Sequence, residues 1–96
     1  MNELPGRLLA GDDGIARLNA LIHALDDEEQ VRLTLDDGEE LSGVVAARPA
    51  LQVFRPADGA EGYNALLRLE PLDNGDAAPR YLWLDRIVDV VRLGSA

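Results

Sequence analysis

Catalytic chemistry usually begins with a nucleophile or a general base, and this sequence offers few candidates for either. His23 is the single histidine, so a catalytic dyad has one candidate base. Ser42, Ser95 and Thr34 are the hydroxyl groups apart from the tyrosines, and none of them lies in the glycine-rich turn that exposes a catalytic serine. A hydrolase would need a pocket that gathers His23 with carboxylates. We therefore predict no catalytic residues and expect that the protein is not an enzyme.

Carboxylates are the second group that could do chemistry, either by binding a hard cation or as acids and bases. They cluster at Asp36-Asp37, at Glu39-Glu40 and in residues 73–76. Neighbouring residues of a strand point to opposite faces, so adjacent acids do not converge, and the spacing in 73–76 does not match a calcium loop. The sequence contains no cysteine. We interpret the clusters as solvated turns and expect neither a metal ion nor a cofactor.

Arginines and aromatic rings together could bind single-stranded nucleic acid, because bases stack on rings and on guanidinium planes. The candidate RNA contacts are Arg48, Arg55 and Arg86, and the candidate rings are Phe54, Tyr63, Tyr81 and Trp83. The bulk charge opposes this use, since 18 acidic residues against nine basic ones give a net charge of −9. Such a charge repels phosphate groups, so we favour packing or interface roles for the rings and keep RNA binding as an alternative.

The composition is that of one small folded domain. Its 96 residues suffice for a single core, and 47% of them are hydrophobic but only 4% aromatic, so the core must be aliphatic. No apolar stretch approaches the roughly 18 residues of a membrane-spanning helix, and the acidic beginning of the sequence does not resemble a signal peptide. We expect a soluble, cytoplasmic protein.

The first predicted element is an amphipathic helix. Residues 1–12 are predicted to form a flexible arm, and Asp12 or Asp13 would cap the helix and suit its positive end. Residues 13–25 are predicted to be helical, because apolar side chains recur there at helical spacing. Four acids, residues 26–29, would oppose the negative end of the helix dipole, so we place them in the connection to the sheet.

A β-hairpin is the clearest element that the sequence predicts. Apolar and polar residues alternate through 31–35, the period that places apolar side chains on one face of a sheet. Asp37-Gly38 follows as a tight turn. Residues 41–45 resume the alternation, with Gly43 at an inward position where a strand bends sharply or admits a neighbouring backbone. This pattern predicts a small curved sheet or barrel.

Further strand segments follow, separated by stretches that are rich in proline, glycine and aspartate. These segments are residues 50–54, 63–70, 80–84 and 87–93. The last one is apolar on both faces except at Asp89, which suits a strand buried within the fold or paired with another subunit. Either residues 51–54 or residues 65–70 could be the third strand of the sheet.

One helix followed by about five short strands, with a glycine in the second strand and a short turn before the last, resembles the Sm-like (LSm) superfamily of small barrels. Asp37-Gly38, Leu41 and Gly43 are similar to its first signature, and residues 82–91, LWLDRIVDVV, are similar to its second. Small acidic bacterial proteins of unknown function with a variant of this fold share the layout, and the chain resembles one of them.

The resemblance implies a strongly bent five-stranded antiparallel barrel over residues 30–93 that carries the N-terminal helix. Residues 1–96 would then form a single Sm-like domain. In the superfamily, the fourth strand of one subunit usually pairs with the fifth strand of the next, which forms rings that bind RNA. The corresponding strands here are residues 80–84 and 87–91. The candidate self-association residues on them are Tyr81, Trp83, Val88 and Val90.

The RNA-binding part of the resemblance is weak. Pro49 and Val53 stand where many members of the superfamily have an aspartate and an asparagine. Trp83 and Leu84 stand where the arginine and glycine of the nucleotide pocket would be. The residues that recognise a nucleotide are therefore missing from this sequence.

We expect a non-enzymatic Sm-like domain that acts through self-association or through contacts with another protein. A homo-oligomer is expected, either a dimer or a ring, because the segment 55–62 could block the pairing that forms rings. The alternative is a divergent RNA-binding protein that uses arginines and aromatic residues near 48–63. No membrane partner is expected.

Overall fold

Over the residues that the structure describes, the chain forms one α-helix, a five-stranded sheet and a two-stranded hairpin. A computed structural model describes residues 7–57, 59–72 and 78–95. The helix α1 spans Gly11–Ala24, and a 3₁₀ turn, Leu84–Arg86, joins the last two strands. The strands of the described residues are β1 (Glu29–Leu35), β2 (Glu40–Val45), β3 (Gln52–Phe54), β4 (Gly62–Asn64), β5 (Leu66–Glu70), β6 (Arg80–Trp83) and β7 (Ile87–Ser95).

The larger sheet has the strand order β6-β5-β2-β1-β7, and every neighbouring pair is antiparallel. The prediction of an N-terminal helix followed by a five-stranded antiparallel sheet is confirmed. β5 pairs with both β2 and β6, so residues 65–70 supply the third strand of this sheet. Residues 51–54 overlap β3, which pairs with β4 in a separate two-stranded sheet.

The sheet is strongly curved, but it is not a closed barrel, so the prediction of a barrel is wrong on this point. Among the described residues, β6 and β7 are the two outer strands and no ladder joins them. In a flat five-stranded sheet they would lie roughly 19 Å apart, at about 4.8 Å per spacing. The turn of three residues between them spans less than about 14 Å. The sheet must therefore curl to bring the connected ends of β6 and β7 together.

Hydrogen bonds anchor the turn between β6 and β7 at both of its ends. The N–H of Leu84 donates to the carbonyl of Ala65 at 3.0 Å, which ties the end of β6 to β5. The carbonyl of Arg86 accepts from the N–H of Asp36 at 2.8 Å, which ties the start of β7 to the end of β1. The two ends of the turn are thus anchored next to different strands of the sheet, one beside β5 and the other beside β1.

The helix begins at Gly11, earlier than the sequence predicts. Its N-cap residue is Ala10, which has no polar side-chain atom for capping, so the prediction of Asp12 or Asp13 as N-cap is wrong. Both aspartates instead lie in the first turn, where a carboxylate interacts favourably with the helix dipole. Leu18, from the predicted apolar stripe, is fully buried.

The core lies between α1 and one face of the five-stranded sheet, and it is aliphatic, as the composition predicts. Its fully buried side chains include Leu18, Leu33, Leu67, Leu84 and Ile87. Burying one such side chain contributes about 1.5–3 kcal/mol. Leu21 and Ile22 of the helix pack against this cluster from outside.

The β1–β2 hairpin has the predicted turn and the predicted close approach. Gly38 has a φ of +89°, which a glycine adopts at little cost, and Asp37 Oδ1 accepts the N–H of Glu39 at 2.9 Å. A Cβ atom at Gly43 would lie 2.6 Å from both the carbonyl oxygen of Glu70 and Leu69 Cγ. The absence of a side chain at Gly43 therefore lets β5 cross β2 closely.

Candidate functional site

β6 and β7 each have one neighbour in the sheet, so within the described residues each has an edge without a ladder partner. β6 pairs with β5, and β7 pairs with β1. The free N–H and C=O groups of an edge strand are a template for another strand. We call these two strands, residues 80–83 and 87–95, the edge surface, and they are the main candidate for an interaction site.

Exposed apolar side chains concentrate on the edge surface. Of the seven large apolar side chains that are exposed in the described residues, four lie there: Tyr81, Val88, Val91 and Leu93. Tyr81 and Val88 keep 57% and 55% of their surface exposed. Apolar side chains beside unpaired backbone groups favour association with a second protein surface.

Two bulges limit how another strand can pair with β7. The register between β1 and β7 shifts twice, which leaves Val88 and Leu93 as extra residues on β7. A bulge bends and twists its strand, and native edges use this to restrict pairing. The regular part of β7 is therefore Asp89–Arg92, and a partner strand can pair regularly over only this short stretch.

The four predicted self-association residues divide into two exposed and two half-buried side chains. Tyr81 and Val88 are exposed on the edge surface. Val90 lies opposite Leu33 and packs against the core. Trp83 meets Phe54 edge to face, with ring centroids 5.8 Å apart and an interplanar angle of 79°. Trp83 thus links β6 to the β3–β4 hairpin.

The three candidate RNA contacts are each paired with carboxylates. Arg48 forms an ion pair with Asp26. Arg55 Nε lies 2.6 Å from a carboxylate oxygen of Glu61 within the β3–β4 hairpin. Arg86 lies 3.5 Å and 3.3 Å from carboxylate oxygens of two aspartates of the β1–β2 turn, Asp36 and Asp37. These pairs lie in three different connections, so the structure does not gather the arginines into one basic patch.

Two of the four acids in residues 26–29, Asp26 and Glu29, are paired with Arg92. Arg92 Nη2 lies 2.5 Å from Asp26 Oδ2 and 2.7 Å from Glu29 Oε1, and its Nε donates to Glu29 Oε1 at 2.9 Å. This hydrogen bond and the charge of Glu29 raise the pKa of Arg92 above its ordinary value. The arginine stays charged and ties the end of β7 to the connection between α1 and β1.

A buried polar cluster at the 3₁₀ turn was not predicted from the sequence. Asp85 is only 6% exposed, and Asn64 is fully buried. Asn64 Nδ2 donates to Asp85 Oδ1 at 2.8 Å and to the carbonyl of Arg7 at 2.9 Å, while Asn64 Oδ1 accepts the N–H of Ala65 at 2.9 Å. Arg17 of the helix donates to the carbonyl of Ile87 at 3.0 Å. The cluster joins the segment before α1, the helix, β4 and the turn.

The residues considered for catalysis do not assemble in the described part of the chain. His23 is exposed in the last turn of α1, Ser42 is exposed on β2 and Thr34 lies half-buried on β1. Among the described residues, no group of three or more histidine, aspartate or glutamate side chains is placed to hold a metal ion. Residues 73–76 and the side chain of Ser95 lie outside what the structure describes.

None of the described helices is long and apolar enough to cross a membrane.

Comparison with known proteins identifies the structural class and the family of this chain. The crystal structure of XC5848 from Xanthomonas campestris, described as adopting a novel variant of the Sm-like motif, matches this chain with a TM-score of 0.81 and 37% sequence identity. The match covers 95% of this chain and 97% of that one, which confirms the resemblance to the Sm-like superfamily. The chain belongs to the family described as "Domain of unknown function (DUF3247)", whose model matches residues 2–93. No curated protein matches the sequence.

Proposed function

We propose that this Sm-like domain acts by self-association along the edge surface rather than by catalysis. The observation that carries the proposal is the open strand order, which leaves β6 and β7 with free edges in the described chain. Pairing these edges with a second copy would satisfy their backbone groups and cover the apolar side chains beside them.

The side chains of the two edges are compatible with such pairing. Tyr81 of β6 lies opposite Arg68, and Val91 of β7 lies opposite Arg32, so both point away from the core on the same face of the sheet. Residues that oppose each other in an antiparallel pair share a face, so a β6–β7 contact between copies can place Tyr81 beside Val91. An aromatic and a β-branched side chain form a favourable cross-strand pair.

The choice of edges decides the size of the assembly. Pairing β6 of each copy with β7 of the next is heterologous and gives a ring where the rotation between copies closes, whereas pairing β7 with β7 is two-fold symmetric and gives a dimer. The Phe54–Trp83 contact holds the β3–β4 hairpin against the end of β6. Because this contact lies on β6 and not on β7, we favour the dimer.

RNA binding is the weaker candidate. Its three candidate arginines already have carboxylate partners, and a net charge of −9 opposes the approach of phosphates. Binding would require these ion pairs to open without a basic patch to attract the ligand.

The proposal is tested by measuring the dissociation constant of the assembly by sedimentation velocity for the unmodified chain and two variants. Val88→Arg places a charge on the edge surface and is expected to weaken association at least about tenfold, because an unpaired charge at an interface costs more than about 1.4 kcal/mol. Val53→Arg is the matched control, since Val53 is an exposed valine on β3. Equal dissociation constants for the two variants would contradict the proposal.

A further inference from the structure

A short segment before the helix, residues 7–10, lies along the free side of β4, and we call it the arm segment. The N–H of Leu9 donates to the carbonyl of Tyr63 at 2.9 Å, and the N–H of Tyr63 donates to the carbonyl of Leu9 at 2.7 Å. This is the double hydrogen bond of an antiparallel pair. The arm segment is therefore joined to the β3–β4 hairpin by one antiparallel bridge, between Leu9 and Tyr63.

The surface under the arm segment fits it closely. A Cβ atom at Gly62 would lie 2.6 Å from Leu8 Cβ, so a side chain at this position of β4 would displace the arm segment. A Cβ atom at Gly14, in the first turn of α1, would lie 3.1 Å from Leu9 Cβ. Two glycines thus leave room for two leucines between β4 and the helix.

A buried carboxylate recognises the arginine of the arm segment. Arg7 Nε lies 3.5 Å from Asp85 Oδ2, and Arg7 Nη2 donates to the carbonyl of Asp85 at 3.0 Å. Asn64 Nδ2 donates to the carbonyl of Arg7 at 2.9 Å, so both the side chain and the backbone of this residue are bound. The groove beside β4 has the features of a site for an extended segment with arginine followed by two leucines.

The connection from the arm segment to the helix is suited to act as a hinge. Ala10 is extended, with φ −142° and ψ 168°. Gly11, the next residue, has a φ of +74°, and a Cβ atom there would meet nothing within 4 Å. A glycine can change from this backbone conformation to an extended one at little cost. The arm segment can therefore leave its groove without moving α1.

We propose that the groove accepts the arm segment of a second copy, so that two chains exchange arms. All the groove residues that bind the arm segment lie on the other side of the hinge in the sequence. A groove can therefore make the same contacts with the arm segment of its own chain or with that of another chain. The equilibrium between a chain that binds its own arm segment and a pair of chains that exchange arm segments is then set by strain in the hinge and by protein concentration. This is the usual basis of domain swapping. The exchange does not rest on the edge surface, since β4 is not one of its strands.

The test uses two single-cysteine chains, which is straightforward because the natural sequence has no cysteine. Leu9→Cys is made in an isotopically labelled chain and Tyr63→Cys in an unlabelled one. Residues opposite each other in a hydrogen-bonded pair have Cα atoms about 5.5 Å apart, which suits a disulfide. The chains are mixed at high concentration, equilibrated, diluted and oxidised with oxidised glutathione, and the mass of each disulfide-linked species is measured.

Arm exchange predicts a linked pair with one labelled and one unlabelled chain. The control replaces Tyr63→Cys by Val53→Cys, because Val53 lies opposite Tyr63 on β3 and is therefore one strand further from the arm segment, yet is exposed. If disulfide-linked pairs of one labelled and one unlabelled chain form no faster with Tyr63→Cys than with Val53→Cys, the proposal is wrong.

Two further variants test the pairing of Leu9 with Tyr63 and separate arm exchange from association along the edge surface. A single chain with both Leu9→Cys and Tyr63→Cys is expected to form an internal disulfide when dilute and linked dimers when concentrated. If it forms no disulfide at any concentration, the pairing of Leu9 with Tyr63 is itself wrong and the proposal fails. Adding Val88→Arg to both single-cysteine chains is expected to leave arm exchange unchanged, so loss of edge association and loss of exchange are distinguished.

Discussion

The two hairpins of this domain are held by different forces. In β1–β2, the inward side chains of β1 are buried, with Val31 and Leu33 at 0% exposure. In β3–β4, Val53 is 41% exposed, and the hairpin is attached through polar and edge contacts: the arm segment on one side, Asn64 at its base and Phe54 against Trp83. The first hairpin is stabilised by burial of apolar surface and the second by a few specific contacts, so substitutions should affect them differently.

The largest effect is expected from Leu33→Ala, which removes a fully buried side chain from the centre of β1. The free energy of unfolding should fall by about 3 kcal/mol, because the substitution loses buried apolar area and leaves a cavity. Urea denaturation of the variant measures this loss. Val53→Ala is the matched change in the second hairpin and should cost less than about 0.5 kcal/mol. Similar losses of unfolding free energy in both variants would show that burial of apolar surface stabilises the two hairpins equally.

A smaller but substantial effect is expected from Asp85→Ala. It leaves the buried amide of Asn64 with one acceptor fewer and removes the carboxylate that Arg7 contacts, so the free energy of unfolding should fall by about 2 kcal/mol. Hydrogen exchange at the amides of Leu9 and Tyr63 should also accelerate, because the arm segment loses an anchor. Asp36→Ala, which removes an exposed carboxylate at the β1–β2 turn, is the control and should change neither quantity appreciably.

The smallest effect is expected from Arg55→Gln in the β3–β4 hairpin. The ion pair with Glu61 is largely exposed to solvent, so its loss should change the free energy of unfolding by less than about 0.5 kcal/mol. The difference between this variant and the unmodified chain should vanish at high salt, where the pair is screened. A loss above about 1 kcal/mol would mean that charge pairing contributes more to the second hairpin than its exposure indicates.

The sequence predicted the elements whose signal is local. The alternation in residues 31–35 and the Asp37-Gly38 turn give the β1–β2 hairpin, and Gly43 marks the close approach of β5. The superfamily resemblance was right for the same reason, because it rested on the order and spacing of such elements. The start of the helix was misplaced because a capping preference cannot choose between a cap and a first turn for two consecutive aspartates.

The remaining features depend on contacts between distant parts of the chain. Residues 51–54 and 65–70 have similar apolar content, and only their partners decide which one joins the larger sheet. Whether the sheet closes depends on whether β6 and β7, its two outer strands, pair with each other, and the spacing of apolar residues does not encode that pairing. The role of Asp85 was missed because Asn64, its partner, lies 21 residues away, and an aspartate in a short turn usually faces solvent.

Self-association is the central claim, and the mass of the unmodified chain in solution tests it most directly. Size exclusion coupled to light scattering is run at increasing protein concentration, alone and with uridine-rich and adenine-rich oligoribonucleotides. We predict a mass of at least twice the 10.4 kDa of one chain at high concentration, and no change on addition of RNA. A mass of 10.4 kDa at every concentration would contradict the claim, and a mass that rises only with RNA would favour RNA binding instead.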